Sequence, residues 1–317
     1  MNRPQRAHAV SVTGLRKTFG DRTVLDGVDL HVPTGTVFAL LGANGAGKTT
    51  TVRVLSTLLP FDAGQVEVAG HPLPSAARMV RADISVTGQY ASVDKVLTGR
   101  ENLALMGELH HLGRREARRR ADELLHTFDL VDAAGRRADT YSGGMRRRLD
   151  LAMSLVARPR VLFLDEPTTG LDPRSRRDMW DMVRELVREG TTIVLTTQYL
   201  DEADELADRI AVLDGGRIVA EGTADELKRL VPGGHLEVKL RDAAQAARAS
   251  TVLPGAGVDL DTSTLTVPTD GSIRSLKELL DSLDDPELSV ESFSLHTPDL
   301  DDVFFALTGA ELEEEVR

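Results

Sequence analysis

The chain has 317 residues, which is enough for two domains and a sizeable core, and its net charge is −12. So acidic a chain is not built to hold nucleic acid, and the absence of cysteine excludes disulfides, thiol catalysis and thiolate metal sites. No secretory signal and no run of about 18 apolar residues is recognisable, so we expect any membrane role to be peripheral or to act through a partner.

The first part of the chain predicts alternating strands and helices. Short strands within residues 8–40 are separated by turns, and the last of them, TVFALLG, leads into a glycine-rich loop. A helix is predicted from about Lys48, and further helices within residues 98–130, where Thr98 and Glu101 have capping-box spacing. Further strands are predicted at residues 65–68, 84–86, 161–164 and 192–197. The alternation predicts an α/β fold, a mostly parallel sheet covered by helices.

A change in composition near residues 231–234, VPGG, predicts two domains, at residues 1–230 and 231–317. The second contains a strand, LEVKL, a strand pair around VDLDTSTLTV and a helix, IRSLKELLDSL. We interpret it as a small α+β accessory domain. It carries no chemical motif that we recognise.

Residues 42–49, GANGAGKT, fit the phosphate-loop pattern G-x-x-x-x-G-K-[ST] and lie between an apolar strand and a helix. Its glycines allow successive backbone N–H groups to close around a β-phosphate. Lys48 places a cation on the β- and γ-oxygens, and Thr49 offers a hydroxyl to Mg²⁺. The alternative, a glycine-rich turn without a ligand, is disfavoured because motif and context agree.

An acidic pair, Asp165 and Glu166, ends the apolar strand VLFLDE. The first carboxylate suits the Mg²⁺ shell, and the second suits a general base that polarises an attacking water. Two acids that cap the next helix are the alternative interpretation. A phosphate loop in the same chain favours the catalytic one.

The segment YSGGM, residues 141–145, predicts a second phosphate cradle. Ser142 can place a hydroxyl, and Gly143 and Gly144 can place bare backbone N–H groups, against a phosphate at the head of a helix. The chain already has one cradle. A second one makes sense if it serves the nucleotide held by another copy of the chain.

Four elements occur in order: the phosphate loop, Gln89, YSGGM and VLFLDEP. With them the chain resembles, over roughly residues 10–230, the ATP-binding subunit of an ABC transporter, and within that family the daunorubicin-resistance type of drug-export ATPase. The tail PDLDDVF, residues 298–304, also resembles this subgroup. The resemblance implies a P-loop NTPase core with an antiparallel β subdomain and a helical subdomain, and ATP and Mg²⁺ as cofactors.

The resemblance also implies roles for single residues. Phe19 would stack on adenine, unless it is a core residue beneath the first sheet. Gln89 would reach both the metal and the attacking water, and Asp172 would cross a dimer interface, although it also suits the cap of the helix that opens with Pro173. The implied nucleotide-binding set is Phe19, Gly42, Ala43, Asn44, Gly45, Ala46, Gly47, Lys48, Thr49 and Thr50. The implied metal set is Thr49, Gln89 and Asp165, and the set acting across the dimer is Ser142, Gly143, Gly144 and Asp172.

One position departs from the family pattern. After the strand TTIVLTT most members carry a histidine that contacts the γ-phosphate, and this chain has Gln198. Glutamine donates a hydrogen bond to a phosphate oxygen but carries no positive charge. We expect hydrolysis with Glu166, Gln89 and Gln198 as catalytic residues. A subunit that binds ATP and hydrolyses it poorly is the competing interpretation.

These observations predict an ATP-driven motor subunit at the cytoplasmic face of the cell membrane. Two copies would enclose ATP head to tail, and separate transmembrane permease subunits would receive the stroke near residues 89–101. The resemblance to the subgroup implies that these permease subunits form an exporter of hydrophobic drugs or antibiotics. The alternative is a soluble ABC ATPase of translation or DNA repair, although the chain has one ATP module and no long coiled-coil insertion between residues 50 and 141. A GTP-dependent switch would leave YSGGM unexplained.

Overall fold

The computed structural model describes residues 8–88, 92–231, 234–253, 255–269, 272–285 and 288–309. The chain separates into two compact units between Ala224 and Asp225. The sequence-based boundary lies slightly further along the chain, between residues 230 and 231, and stays a prediction.

The first unit alternates strands and helices, with two short 3₁₀ helices at Val131–Ala133 and Ala138–Thr140. Its elements in chain order are β1 (His8–Phe19), β2 (Arg22–Pro33), β3 (Val37–Leu41), α1 (Lys48–Leu55), β4 (Ala63–Val68), β5 (His71–Leu73), α2 (Ala77–Asp83), β6 (Ile84–Thr87), α3 (Gly99–Leu109), α4 (Arg114–Thr127), α5 (Gly143–Ser154), β7 (Val161–Asp165), α6 (Pro173–Arg188), β8 (Thr192–Thr197), α7 (Leu200–Leu206), β9 (Arg209–Asp214), β10 (Arg217–Gly222) and α8 (Ala224–Lys228), which contains the boundary.

A six-stranded sheet of order β10-β9-β3-β8-β7-β6 forms the centre of this unit. Its strands pair in parallel, except that β10 runs antiparallel to β9. Every residue of β3, β7 and β8 is buried, as expected for central strands of a sheet that is covered on both faces. The predicted α/β core is confirmed.

A second sheet, of order β2-β1-β4-β5, is antiparallel and packs on the first. Buried side chains of both sheets and of α1 belong to one hydrophobic cluster, with Val12 and Leu30 from the antiparallel sheet, Phe38 and Phe163 from the parallel one, and Leu55 from the helix. The antiparallel β subdomain that the resemblance implied is therefore present, and it buries the face of the sheet that carries α1.

Helices α3, α4 and α5 form the helical region, and α3 begins with the predicted capping box. The Thr98 hydroxyl accepts from the Glu101 N–H at 3.2 Å, and the Glu101 carboxylate accepts from the Thr98 N–H at 2.8 Å. Just before α3, the chain is hydrogen-bonded to the segment that precedes α5, through the N–H groups of Ala138 and Asp139. Among the described residues, no helix is long and apolar enough to cross a bilayer.

The second unit is the expected small α+β fold. Its elements are β11 (His235–Leu240), α9 (Ala243–Val252), β12 (Gly257–Asp259), β13 (Thr264–Pro268), α10 (Ile273–Leu283), β14 (Val290–His296) and α11 (Leu300–Thr308). The strands form an antiparallel sheet of order β12-β13-β11-β14. Alternate residues of β11, such as Val238, pack with Ala246 and Ala249 of α9 in a separate core.

A glycine–tyrosine contact fixes the end of the segment that precedes α5. Tyr141 is 3% exposed, and its hydroxyl donates to the Ala133 carbonyl at 2.7 Å. A Cβ placed on Gly99 would lie 2.3 Å from that hydroxyl oxygen and 3.2 Å from the ring carbon that carries it. Only glycine therefore fits at the start of α3 while Tyr141 keeps its position.

We expect Gly99→Ala to lower the free energy of unfolding by roughly 1–3 kcal/mol, because the added methyl overpacks the site. Tyr141→Phe alone should cost about 1 kcal/mol through the lost hydrogen bond. The double variant should lose less than the sum of the two, since phenylalanine removes the clashing oxygen. Denaturant unfolding measures all three. Gly135→Ala is the control, because a Cβ there meets nothing within 4 Å; additive losses would contradict the assignment.

Candidate nucleotide-binding site

The site lies at the carboxyl edge of three neighbouring parallel strands, β3, β8 and β7. The phosphate loop, residues 42–49, connects β3 to α1, and the register pairs Leu41 with Thr197 and Asp165 with Thr196. The Gly42 N–H donates to the Thr197 carbonyl at 3.3 Å. Because carboxyl ends of parallel strands meet at one edge, the loop, the acidic pair and the position after β8 converge there.

The loop needs glycine where it enters α1. Gly47 has φ 114°, a left-handed conformation, and is the N-cap of the helix. A Cβ there would lie 2.8 Å from the Leu25 side chain and 3.1 Å from the Val24 carbonyl, both on β2. The loop is thus backed by β2 of the antiparallel sheet, and it lies at the head of α1, where an anion is favoured.

Lys48 is held inside the loop. Its ammonium donates to the carbonyls of Gly42 at 2.6 Å and Ala43 at 3.1 Å, and lies 3.8 Å from the Glu166 carboxylate. Burial lowers the pKa of Lys48, while Glu166 and Asp165 act in the opposite direction. The cation therefore stands between the two parts of the site that an ATP phosphate would have to join.

Two hydroxyls converge on the Asp165 carboxylate. Thr196 donates to Asp165 Oδ1 at 2.5 Å, and Thr49 donates to the same oxygen at 3.2 Å. A hydroxyl and a carboxylate in contact beside a phosphate loop are hard oxygen donors, the kind that Mg²⁺ prefers. The residues present therefore fit that ion. Gln89, the third expected ligand, lies outside the described residues.

Glu166 adopts a backbone conformation that few non-glycine residues adopt, with φ 49°. Its N–H donates to the Thr196 carbonyl at 3.1 Å and lies 3.2 Å from the Thr196 hydroxyl. Thr169 donates to its carboxylate at 3.4 Å. Backbone strain of this kind persists only where the surroundings hold it, and here Thr196 supplies part of that support.

Thr196 is a residue that sequence reasoning missed. It is fully buried in β8, and its hydroxyl reaches both members of the acidic pair. In the sequence it is simply one of several threonines in a β-branched strand. The register that places it against Asp165 is a property of the folded sheet.

Phe19 and Gln198 lie at the margins of the site. The Phe19 ring is 47% exposed at the tip of the β1–β2 hairpin, with the Lys17 ammonium 5.3 Å from its centroid. It is therefore not a core residue. Gln198 is half-buried and directly follows Thr197, whose carbonyl is bonded to the phosphate loop.

The Ser-Gly-Gly segment forms the head of α5. Ser142 is the N-cap and accepts from the Met145 N–H at 3.2 Å, and both Ser142 and Gly143 are exposed. Within the part of the chain that the structure describes, no hydrogen bond joins Ser142 to residues 42–49 of the same chain. The second predicted cradle is thus separate from the first.

Gly144 brings this cradle against the start of α6. A Cβ on Gly144 would lie 2.8 Å from the Ser175 hydroxyl oxygen, and that hydroxyl donates to Asp172 at 2.7 Å. Asp172 is the N-cap of α6, as predicted, and also accepts from the N–H groups of Arg174 and Ser175. Ser142 and Asp172 therefore belong to one exposed surface of the chain.

The comparisons with known proteins agree with this geometry. The family model described as ABC transporter matches residues 25–169. The chain is 54% identical over 303 residues to the daunorubicin resistance ATP-binding protein DrrA3 of Streptomyces coeruleorubidus, covering 95% of this chain and 96% of that one. It is 52% identical over 310 residues to the daunorubicin/doxorubicin resistance ATP-binding protein DrrA of Streptomyces peucetius, covering 96% of this chain and 94% of the relative.

Solved structures give the same answer for the first unit. An ATP-binding subunit of an ABC transporter superposes with a TM-score of 0.63 at 28% identity, covering 70% of this chain and 92% of that one. The ADP conformation of an ATP-binding cassette of an ABC transporter gives 0.64 at 28% identity, with coverages of 69% and 92%. The expected family is confirmed: the chain belongs to the ATP-binding subunits of ABC transporters and is an ATPase of that family.

Proposed function

We propose that two copies of this chain enclose two ATP molecules and drive a membrane exporter of hydrophobic drugs or antibiotics. The observation that carries the proposal is that the loop around Lys48 and the helix head at Ser142 are not joined by any hydrogen bond among the described residues of one chain. Each cradle alone offers half of the contacts that a triphosphate needs. A two-fold pair completes both sites with the same two surfaces.

In this proposal ATP binds along the edge of the parallel sheet. Phe19 offers a phenyl face to the adenine, and the loop, Gly42 to Thr50, closes its N–H groups around the phosphates. The Lys48 ammonium exchanges the carbonyls of its own loop for β- and γ-oxygens. That exchange needs little movement, because the ammonium already lies within the loop, against the carbonyls of Gly42 and Ala43.

Hydrolysis follows from the acidic pair. Glu166 takes a proton from a water molecule whose oxygen attacks the γ-phosphorus, while the bond from that phosphorus to the bridging oxygen breaks and ADP leaves. Thr49 and Asp165 would hold Mg²⁺, with Gln89 as the third ligand that the resemblance implies. When bound, the ion offsets the charge on the β- and γ-oxygens. Gln198 would donate a hydrogen bond to the γ-phosphate.

In the proposed dimer, the partner subunit supplies the remaining contacts to the γ-phosphate. Ser142, Gly143 and Gly144 present a hydroxyl and the free N–H groups of the α5 terminus to the γ-phosphate of the opposite copy. Asp172 crosses the interface beside them while it caps α6. Binding closes the pair because the γ-phosphate contacts both chains, and its loss reopens the pair.

The transport role rests on the relatives. The two Streptomyces relatives reported above each match nearly the whole chain, and both are drug-resistance ATP-binding proteins. Neither supports a role in translation or DNA repair. We infer that separate permease subunits cross the membrane, that this chain binds them at its cytoplasmic face, and that nucleic acid is not a partner. The ATPase need not touch the drug.

Glu166→Gln tests the enclosed dimer. Loss of the general base should lower kcat by about 100-fold or more while ATP is retained, so the closed pair should accumulate. With saturating ATP and Mg²⁺, light scattering after size exclusion should report a dimer. Adding Ser142→Arg should return it to a monomer that still binds ATP. A Glu166→Gln protein that stays monomeric with ATP bound would refute the enclosed dimer.

Thr196→Val tests the support of the acidic pair. Removing the hydroxyl should lower kcat about tenfold or more, since the Asp165 carboxylate and the Glu166 backbone N–H lose the partner that fixes them, and Thr196→Ser should restore it. Thr192→Val is the matched control: Thr192 is equally buried in β8, and its hydroxyl accepts from the Gly35 N–H at 2.9 Å. Both valine variants should lose similar unfolding free energy. Equal kcat in the two would show that Thr196 acts only on stability.

Gln198→Ala should lower kcat about tenfold or more with the Kd for ATP changed by less than twofold, because one hydrogen bond to a charged oxygen is lost. Gln198→His should keep activity and introduce a dependence of kcat on pH near about 6.5, the ordinary pKa of imidazole. Steady-state kinetics across pH 5.5 to 8 by roughly half-unit steps measures both. An unchanged kcat in Gln198→Ala would remove this residue from the mechanism.

A further inference from the structure

A buried ion pair in α5 connects the helix headed by Ser142 to the backbone that follows β6 and β7. Arg147 lies on the turn of α5 that follows Ser142, and its side chain is 10% exposed. Its guanidinium donates from Nε to the Pro167 carbonyl at 2.8 Å and from Nη1 to the Gly88 carbonyl at 2.9 Å. Nη2 lies 3.4 Å from the Glu166 carbonyl. One side chain thus binds the backbone on the carboxyl side of both β6 and β7.

Asp150 completes the pair one turn further along α5. Its side chain is 4% exposed, one carboxylate oxygen lies 3.4 Å from Arg147 Nη1, and the other accepts from the Ser92 N–H at 2.8 Å. Gly88 and Ser92 flank the sequence position of Gln89. The Arg147–Asp150 pair therefore links α5 to Gly88 and to Ser92, the described residues on either side of residues 89–91.

Burial removes both charged groups of this pair from water, which costs free energy. Desolvation lowers the pKa of Arg147, and the nearby carboxylates of Asp150, Glu202 and Asp165 oppose that shift. Desolvation also raises the pKa of Asp150, against the Ser92 N–H and Arg147. A buried ion pair is seldom more stabilising than apolar side chains of the same volume, but it fixes geometry. What it fixes here is the position of α5 relative to the backbone of Glu166.

We propose that Arg147 is a positioning residue through which each nucleotide site of the dimer senses occupancy of the other. This rests on the proposed function, in which Ser142 contacts the γ-phosphate held by the partner subunit. Because a helix moves as a rigid unit, displacement of Ser142 carries Arg147 with it. Arg147 then moves the carbonyls of Glu166 and Pro167, and with them the general base of its own site. Such coupling is reciprocal between the sites.

The test uses Arg147→Met, which keeps the aliphatic length and removes the guanidinium, with Arg147→Lys and Asp150→Asn as milder changes. The control is Arg184→Met, whose guanidinium pairs with Asp181 and Glu205 on the surface. For the wild type and the control we expect a Hill coefficient for ATP hydrolysis clearly above 1. It should fall to about 1 in Arg147→Met and lie between in Arg147→Lys, with kcat reduced about tenfold or more.

Two further measurements separate a positioning role from damage. ATP affinity in the Ser142→Arg background, which blocks the dimer, should change by less than twofold on Arg147→Met. Glu166→Gln with Arg147→Met should still form the ATP-bound dimer, which distinguishes lost coupling from a failure to dimerise, whereas a monomeric Glu166→Gln single variant would overturn the proposed function itself. If Arg147→Met does not fold, a fully stable Arg147→Lys or Asp150→Asn with a lowered Hill coefficient supports the inference. A cooperative Arg147→Met protein, a non-cooperative wild type, or stable mild variants with unchanged cooperativity would overturn it.

Discussion

The requirement that the Lys48 ammonium be buried without losing its charge sets the arrangement of the first unit. A cation that is 4% exposed needs partners, and the loop carbonyls and the Glu166 carboxylate provide them. Those partners meet only if β3 and β7 end at the same edge of the sheet with β8 between them. The parallel order of the strands, their complete burial and the left-handed Gly47 together place these opposite charges in a water-poor site.

Arg147 is a second buried cation that needs partners, and its partners are of a different kind. Lys48 donates to loop carbonyls that phosphate oxygens would replace in the proposed complex, so these contacts suit exchange. Arg147 is held by carbonyls and by Asp150, which belong to the protein and stay. One buried cation is placed to bind the substrate, and the other is placed to connect the elements around it. The difference lies in their partners, since both are buried and both have depressed pKa values.

Local patterns were sufficient to predict the features that local chemistry determines. The phosphate loop, the capping box at Thr98 and the cap at Asp172 each follow from residue types at fixed spacing, and the structure has all three elements where they were expected. The strand and helix alternation likewise gave the α/β core, because a fully buried parallel sheet needs continuous apolar runs. Phe19 could not be decided from the sequence, since only the exposed hairpin tip excludes a core position.

Features that depend on contacts between distant segments were not predictable. Arg147 stands in a run of three arginines, a pattern typical of a solvated helix face, and only tertiary packing places its guanidinium against Gly88 and Pro167. Thr196 is likewise ordinary until the register sets it beside Asp165. The match between Gly99 and Tyr141 also joins residues of two separate segments. In each case the role of the residue depends on the distant residue of the same chain that it contacts, and the sequence alone does not show which residues come into contact.

The exposure of Ser142 is the basis of the proposal that the site depends on a second copy. A helix N-cap beside two glycines is a strong anion site, and a chain that hydrolysed ATP alone would gain by folding it over its own phosphate loop. Here Gly144 packs on Ser175, whose hydroxyl donates to Asp172, and Ser142 stays exposed at the head of α5. In the proposed dimer, completion of the site requires association, and the free energy of the γ-phosphate contacts becomes available for moving one subunit against another. A self-contained site would hydrolyse ATP without producing such a movement.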